Sequence, residues 1–575
     1  MTLNNSRKNL NKGSGEMAPS LKTLTLSALL KQSVAAFGDK TALAEIDGRE
    51  LTYAELGRRV ETVSHLLHDH GVIAGDRVAI LSENSPQWGV AYFAITTMGA
   101  VAVPILPDFH ANEVRHILRH SAAKAIFVSE KLYGKIEDAD ISTLQTAFLI
   151  ENFSVIPTET KKDKLKELLE EGSREFSKLK EAALKLTGIL HEQAAEDDLA
   201  SIIYTSGTTG SSKGVMLTHK NIVYDALATT GIVDVGPNDR MLSMLPLSHA
   251  YECTLGLVSP VLGGGSVYYL DKPPTPRVLL PALQKVKPTI LLTVPLVIEK
   301  IFKNRIAPQF KKNPAIRSLY RLPLVRKKLN QIAGKKLLES FGGCLRSYCI
   351  GGAALSPEVE AFLREAKFPY AIGYGLTETA PLISGTGPEA TVYRAAGKAL
   401  PGVEFKIDHP NPKTGEGEIL VRGPMVMKGY YKDEARTAEV MKDGWFHTGD
   451  LGVLDTNGCL FIKGRLKNMI LGPSGENIYP EEIEAIINED AQVLESLVFE
   501  RDGKLMARVH LNYEALDEQF APDKLNEQQV ADLLEALRRR VNEQLSSFSR
   551  LNKLIEQPEP FEKTPTMKIK RYLYV

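Results

Sequence analysis

The chain has 575 residues, 43% hydrophobic and 24% charged, a composition that fits a globular protein of several domains and excludes a disordered, collagenous or disulfide-stapled one. Lys plus Arg balance Asp plus Glu at 70 each, so no net field gathers nucleic acid and none is expected as a partner. The four cysteines, Cys253, Cys344, Cys349 and Cys459, have neither metal-pair nor disulfide-framework spacing and read as reduced thiols.

In chain order, residues 1–20 are rich in Asn, Lys, Gly and Ser and lack an apolar run, which predicts a disordered tail, no signal peptide and a cytoplasmic protein. Short runs rich in Val, Ile and Tyr at 77–83, 100–106, 124–130, 200–206 and 265–270 predict buried parallel strands. Helix-period segments from Tyr53 to His70 and from Asn112 to His120 alternate with them, the pattern of a layered α/β domain. The uncharged stretch 84–107 is broken by Pro86, Gly89, Gly99, Pro104 and Pro107 and reads as a buried helix and strand, not as a membrane span. The uncharged run 253–270, with Gly256, Pro260 and three successive glycines, makes no anchor either.

Between 157 and 198, Phe176, Leu179, Ala183, Leu186 and Leu190 fall on one helical face, predicting an amphipathic helix packed on its own domain. His116 and His120 have the i, i+4 spacing of metal ligands with His110 nearby, but Arg115 and Arg119 crowd them and all three read as surface histidines. The Lys-rich segment 321–336 reads as a solvated face ahead of a contact with acidic lipid. After Leu460 a polar loop leads into helices at 480–488 and 527–545 around a strand at 505–511, a small C-terminal α+β domain.

The segment YTSGTTGSSKGVMLTH, Tyr204 to His219, follows a strand and precedes a helix. Its glycines and hydroxyls can turn N–H and O–H groups toward an anion and Lys213 adds a charge, so it reads as a phosphate loop, although such a loop can also be a simple turn. It is not a Walker loop, since Ser212 stands where the second glycine would be, and no GxGxxG occurs in the chain.

TSGTTGSSKG closely resembles the signature loop of the AMP-forming acyl-adenylating superfamily. LTYAEL (51–56), LPLSHAYE (245–252), CIGGAALS (349–356), GYGLTETAP (373–381), GWFHTGDLG (444–452), KGRLKN (463–468), SGENIYPEEIE (474–484) and TPTMKIKR (564–571) follow in the family's order. The resemblance runs from about Leu21 to the end and is strongest to long-chain fatty acyl-CoA synthetases. It implies a large domain, 21–466, of mostly parallel sheets flanked by helices, and a small mobile α+β domain, 467–575, turning about a hinge at Lys467. It further implies activation of a medium- to long-chain fatty acid with ATP to acyl-AMP, release of pyrophosphate, and transfer to CoA.

Residue by residue, the resemblance implies that Thr205, Ser206, Gly207, Thr208, Thr209 and Lys213 face the phosphates, with Thr205 and Glu378 holding Mg²⁺. Gly352, Ala353 and Ala354 match the adenine-edge segment. Gly373, Tyr374, Gly375 and Thr377 match the segment where Tyr374 lies against adenine and Gly375 lets the backbone approach the acyl phosphate. Asp450 and Arg465 are suited to the ribose. Lys568 matches the lysine that bridges carboxylate and α-phosphate, although Met567 stands where many relatives carry Gly. His249 and Glu252 match residues at the acyl tunnel and ATP site, and Gly475, Glu476 and Asn477 the thiol channel. Leu245, Leu247, Ala250, Tyr251, Leu255, Leu257 and Val258 suit an alkyl tail, and no Asp precedes Glu252 to pair with an amino acid's ammonium. A carrier-protein thiol as acceptor and a non-catalytic nucleotide-binding scaffold are the alternatives. A monomer or homodimer with at most peripheral contact at the inner membrane face is expected.

Overall fold

A computed structural model describes residues 21–137, 141–157, 165, 169, 194–205, 212–270, 272, 274–311, 313–471, 477–513, 516, 526–564 and 568–575. The expected N-terminal tail and the helix drawn through Phe176, Leu179, Ala183, Leu186 and Leu190 lie outside these residues.

The apolar runs form the strands Arg77–Leu81, Val101–Pro104, Ala125–Val128, Leu199–Thr205 and Ser266–Tyr269. They are covered on both faces, which is why their apolar character is continuous and not alternating. The first four sit in an eight-stranded sheet ordered Gly429–Tyr430, Lys213–Thr218, Leu199–Thr205, Val101–Pro104, Arg77–Leu81, Ala125–Val128, Thr146–Leu149 and Val155–Ile156. This sheet is parallel from Leu199–Thr205 to Thr146–Leu149 and antiparallel at both ends. A nine-stranded sheet is parallel from Tyr370–Gly375 through Ser347–Ile350, Ile290–Thr293, Arg240–Ser243 and Ser266–Tyr269 to Thr41–Glu45.

The largest core cluster joins the two sheets, with Val78 and Ile80 from one, Leu43 and Val267 from the other, and Leu29, Tyr53, Leu56 and Trp88 from helices. The uncharged stretch is the helix Pro86–Thr97 followed by Val101–Pro104. Ser85 Oγ accepts the Trp88 N–H at 3.1 Å and Pro86 fills the first turn, where its missing donor is not needed. Apolar almost all round, this helix is buried on every side and stacks Trp88 on Tyr92 at 5.4 Å between ring centres. Among the described residues no helix is long and apolar enough to cross a membrane.

A third, antiparallel sheet pairs Trp445–Leu454 with Leu460–Arg465, so that Asp450 lies directly opposite Arg465. Beyond it the chain builds a separate core. The hairpin Val493–Arg501 and Lys504–Leu511 gains the parallel strand Lys553–Glu556 and is covered by the helices Pro480–Asn488 and Glu527–Gln544. Ile483, Ile487, Leu534, Leu537 and Val541 pack there on Val498, Val509 and Leu554. The architecture is thus the two-domain α/β fold the motifs imply.

One histidine departs from the expectation. On the helix Ala111–Ser121, His120 Nδ1 lies 2.7 Å from the Tyr204 hydroxyl and its ring meets Tyr204 and Tyr431 edge-on. Burial, then the neighbouring His116 and Lys432, lower its pKa below the ordinary histidine value. It braces the strand that leads into Thr205 and is not a simple surface group.

Trp88→Ala removes a large, fully buried side chain of this core and is expected to cost about 3–5 kcal/mol. A urea midpoint within experimental error of the parent protein would contradict this.

Candidate functional site

A cavity of about 2740 Å³ opens between the C-terminal unit and the carboxyl ends of the parallel strands, where Val294, Gly351–Leu355 and Gly375–Thr377 leave the nine-stranded sheet. This is where open α/β sheets bind ligands, because successive connections diverge there and leave a crevice.

Lys213 begins the strand Lys213–Thr218 and pairs in register with Thr205. Its Nζ lies 2.7 Å from Glu378 Oε1 and 2.7 Å from the Tyr430 hydroxyl, which itself donates to Glu378 Oε1 at 2.9 Å. Glu378 is only 6% exposed. Burial works to raise its pKa, but the charge and hydrogen bond of Lys213, with Tyr430 adding a donor, outweigh this and hold the carboxyl below the usual range. Thr205 Oγ1 is buried and has no hydrogen-bond partner among the described residues. An unsatisfied hydroxyl and an ionised carboxylate lining one cleft, linked through Lys213, are oxygen donors of the kind that fit a hard divalent cation. Tyr430 escaped the sequence reading because it enters from Gly429–Tyr430, a strand brought beside Lys213–Thr218 only by the fold.

Also in the cavity lining, Arg465 Nε lies 2.8 Å from Asp450 Oδ1 and the Tyr374 hydroxyl donates to Oδ2 at 2.6 Å. Burial raises the Asp450 pKa and Arg465 opposes it. Tyr374 lines the cavity with its hydroxyl committed to Asp450. Gly352, Ala353, Ala354, Gly373 and Thr377 line the same cavity. Gly375 has a reason the sequence did not reveal: a Cβ there would lie 1.8 Å from the Pro381 carbonyl oxygen, so its own backbone demands glycine whatever approaches from the cavity.

Lys568 enters the cavity from the C-terminal unit. Its side chain reaches solvent, yet the surrounding walls and then the Arg465 charge depress its pKa, while Asp450 and Glu378 pull it up. His249 also lines the cavity, and its Nδ1 accepts the Tyr251 N–H at 3.2 Å. Burial and the Lys568 charge bring its pKa down to about 4, so it is neutral with the proton on Nε2. Lys467 sits in the turn Leu466–Asn468 at the cavity edge.

Other expected residues fall elsewhere. Ser206, Gly207, Thr208, Thr209, Gly475 and Glu476 lie outside the described residues. Asn477, in the strand Asn477–Ile478, is not among the cavity walls in this arrangement. Glu252 does not face the cavity either; it is 2% exposed behind the wall, where Oε1 accepts the Ser243 hydroxyl at 2.6 Å and Oε2 has no partner among the described residues. Desolvation pushes its pKa up to about 8. Of the apolar residues assigned to the tail, Leu245, Tyr251 and Leu255 line the cavity, whereas Leu247, Ala250, Leu257 and Val258 turn into the main core. The sheet completes the lining with Met241, Ile290 and Leu292, and the helix His219–Val233 with Val233. Short strands look alike in sequence, so nothing marked which of their residues would meet a ligand.

A crevice at strand ends with a buried cation–carboxylate centre, closed by a small α+β unit, defines a two-domain nucleotide-binding enzyme. The chain belongs to the AMP-binding enzyme family, which matches residues 30–431. It is 28% identical to the chloroplastic long-chain-fatty-acid–(acyl-carrier-protein) ligase AEE15 of Arabidopsis thaliana, over 95% of this chain and 84% of that protein. It is 29% identical to the long-chain-fatty-acid–CoA ligase FadD15 of Mycobacterium bovis, over 92% of this chain and 91% of the relative. ATP-bound MatB from Rhodopseudomonas palustris shares the fold, with a TM-score of 0.73 at 24% identity over 96% of this chain and 98% of that one.

Two outcomes follow from this geometry. Gly375→Ala is expected to displace the segment 373–377 and abolish ATP-dependent thermal stabilisation, and full retention of that stabilisation would contradict the steric assignment. Glu252 has a folded pKa near 8, raised above its unfolded value, so its contribution to stability is complete below about pH 4.5 and is lost as pH rises toward 8. Glu252→Gln should therefore gain thermal stability relative to the parent as pH rises through this window, and a melting-temperature difference independent of pH would refute the buried, protonated state.

Proposed function

We propose that this protein is an ATP-dependent, AMP-forming acid–thiol ligase acting on medium- to long-chain fatty acids. The observation that carries the substrate class is the apolar branch of the cavity, with Val233, Met241, Leu245, Leu255, Ile290 and Leu292, opening on the same space as Lys213, Glu378 and Lys568. Burying an alkyl tail there yields about 0.8 kcal/mol per CH₂. Val233, Met241, Leu245, Leu255, Ile290 and Leu292 are all apolar, and the neighbouring Glu252 faces away and is held protonated by burial, which favours an alkyl chain over an amino acid.

In the first half-reaction a carboxylate oxygen of the fatty acid attacks the α-phosphorus, and the bond to the β-bridging oxygen breaks to release pyrophosphate. Lys568 draws the two anions together by bridging carboxylate and α-phosphate, and its depressed pKa reflects a cleft that strengthens such contacts. Lys213 and the loop through Ser206, Gly207, Thr208 and Thr209 balance charge on the phosphates. Thr205 and Glu378 would hold Mg²⁺, which polarises the phosphates as a Lewis acid when bound. Asp450 and Arg465 take the ribose, while Gly352, Ala353, Ala354 and Tyr374 flank the adenine. His249, neutral, offers its Nε2 proton without adding charge near the carboxylate.

In the second half-reaction the CoA thiolate attacks the acyl carbon and AMP departs with the bonding pair. Rotation about Lys467 withdraws Lys568 and brings Gly475, Glu476 and Asn477 toward the thiol; the presence of Lys568 and absence of Asn477 at the cavity wall support reading this arrangement as the adenylating one. The likeness to a carrier-protein ligase supports one alternative acceptor, the pantetheine thiol of an acyl carrier protein.

Lys568→Ala should lower fatty-acid-dependent pyrophosphate release by about 10²–10³-fold while thioester formation from supplied acyl-AMP persists. Equal loss of both half-reactions would remove Lys568 from the adenylation step. Omitting CoA and adding acyl carrier protein in the same assay distinguishes the two acceptors.

A further inference from the structure

We propose that the outer face of the helices Pro314–Tyr320 and Pro323–Ser340 docks on an anionic lipid bilayer. Four large apolar side chains project from it: Leu319 is 48% exposed, Leu322 54%, Leu324 85% and Ile332 52%. Between residues 313 and 338 the sequence carries seven cations and no Asp or Glu, in a chain whose total charge is zero. Arg326 is held by Glu365 at 2.7 Å, while Arg317, Arg321, Lys327, Lys328, Lys335 and Lys336 are exposed.

The helical repeat arranges these groups. On Pro323–Ser340, Asn330, Gly334 and Leu337 are buried, and Leu324, Lys328, Ile332 and Lys335, at steps of four, four and three, share the opposite side. The sequence favoured a solvated face, but four large exposed apolar side chains gathered on one basic surface favour lipid. Apolar prongs set among lysines suit a peripheral contact: the leucines enter the headgroup boundary while the lysine stems lie along it and their heads meet phosphate. Opposite charge selects anionic headgroups.

The surface is continuous with the cavity. Pro295–Ile301 and the turn Phe302–Ile306 supply Leu296 and Phe302 to the cavity wall, and the following helix Ala307–Lys311 stacks Phe310 on Tyr320 at 4.6 Å. Docking therefore brings one wall of the cavity to the bilayer. This assignment stands whatever acid or thiol the enzyme uses.

The full chain should co-float with phosphatidylcholine vesicles containing phosphatidylglycerol, not with pure phosphatidylcholine vesicles, and salt should weaken the binding. The triple variant Lys328→Glu, Lys335→Glu, Lys336→Glu should lose at least about tenfold in partition. Leu322→Ser with Leu324→Ser should also reduce it, with no change in charge. All these side chains are exposed, so an unchanged melting temperature establishes that the variants are folded. Failure to bind anionic vesicles, or binding that survives charge reversal, overturns the proposal; so does charge-dependent capture of an acidic carrier protein by a chain that leaves vesicles unbound.

Discussion

The buried carboxylate of Glu378 sets the terms for the rest of the site. An ionised group so nearly shut off from water is tolerable only with a cation and donors in fixed positions. Lys213 comes from the eight-stranded sheet, Glu378 from the turn Thr377–Thr379 beyond the nine-stranded sheet, and Tyr430 from a strand far along the chain. Three separate segments must therefore meet within hydrogen-bond distance before the charge can be buried. The hydrophobic core between the two sheets holds their separation, and the ion pair makes use of it.

The same balance runs across the cleft. Asp450 is neutralised by Arg465 because the two face each other across an antiparallel ladder, and Tyr374 completes the pair from the parallel sheet. Lys568 comes from the C-terminal unit, and among the described residues no ion pair holds its side chain; its pKa is lowered by the walls and by Arg465 and raised by Asp450 and Glu378. Lys213, by contrast, is held by both Glu378 and Tyr430. Glu252, protonated behind the wall, solves the burial problem by giving up its charge.

Much of this was legible in the residues. The strands and helices of the parallel sheets appeared as continuous apolar runs and helix-period segments because burial on both faces leaves that imprint. Lys213, Glu378, Asp450, Arg465 and Lys568 were all named from motifs, and all five line one cavity. The apolar segment after Leu245 was only half legible: a π-helical turn at Tyr251–Val258 points Tyr251 and Leu255 one way and Leu257 and Val258 the other, and period counting on a regular helix misses that division.

The sequence by itself determined the order of the elements, the chemistry of the motifs and the family, since these depend on local periodicity and on residue types at short spacing. Only the tertiary structure decided that Tyr430 completes the Lys213–Glu378 pair, that Glu252 faces away from the cavity, that Gly375 answers to Pro381, and that Leu324 stands in water. Each of these is a relation between chain segments or a direction of a side chain. Such relations are set by how sheets and helices pack, and packing leaves no mark at the spacing of neighbouring residues.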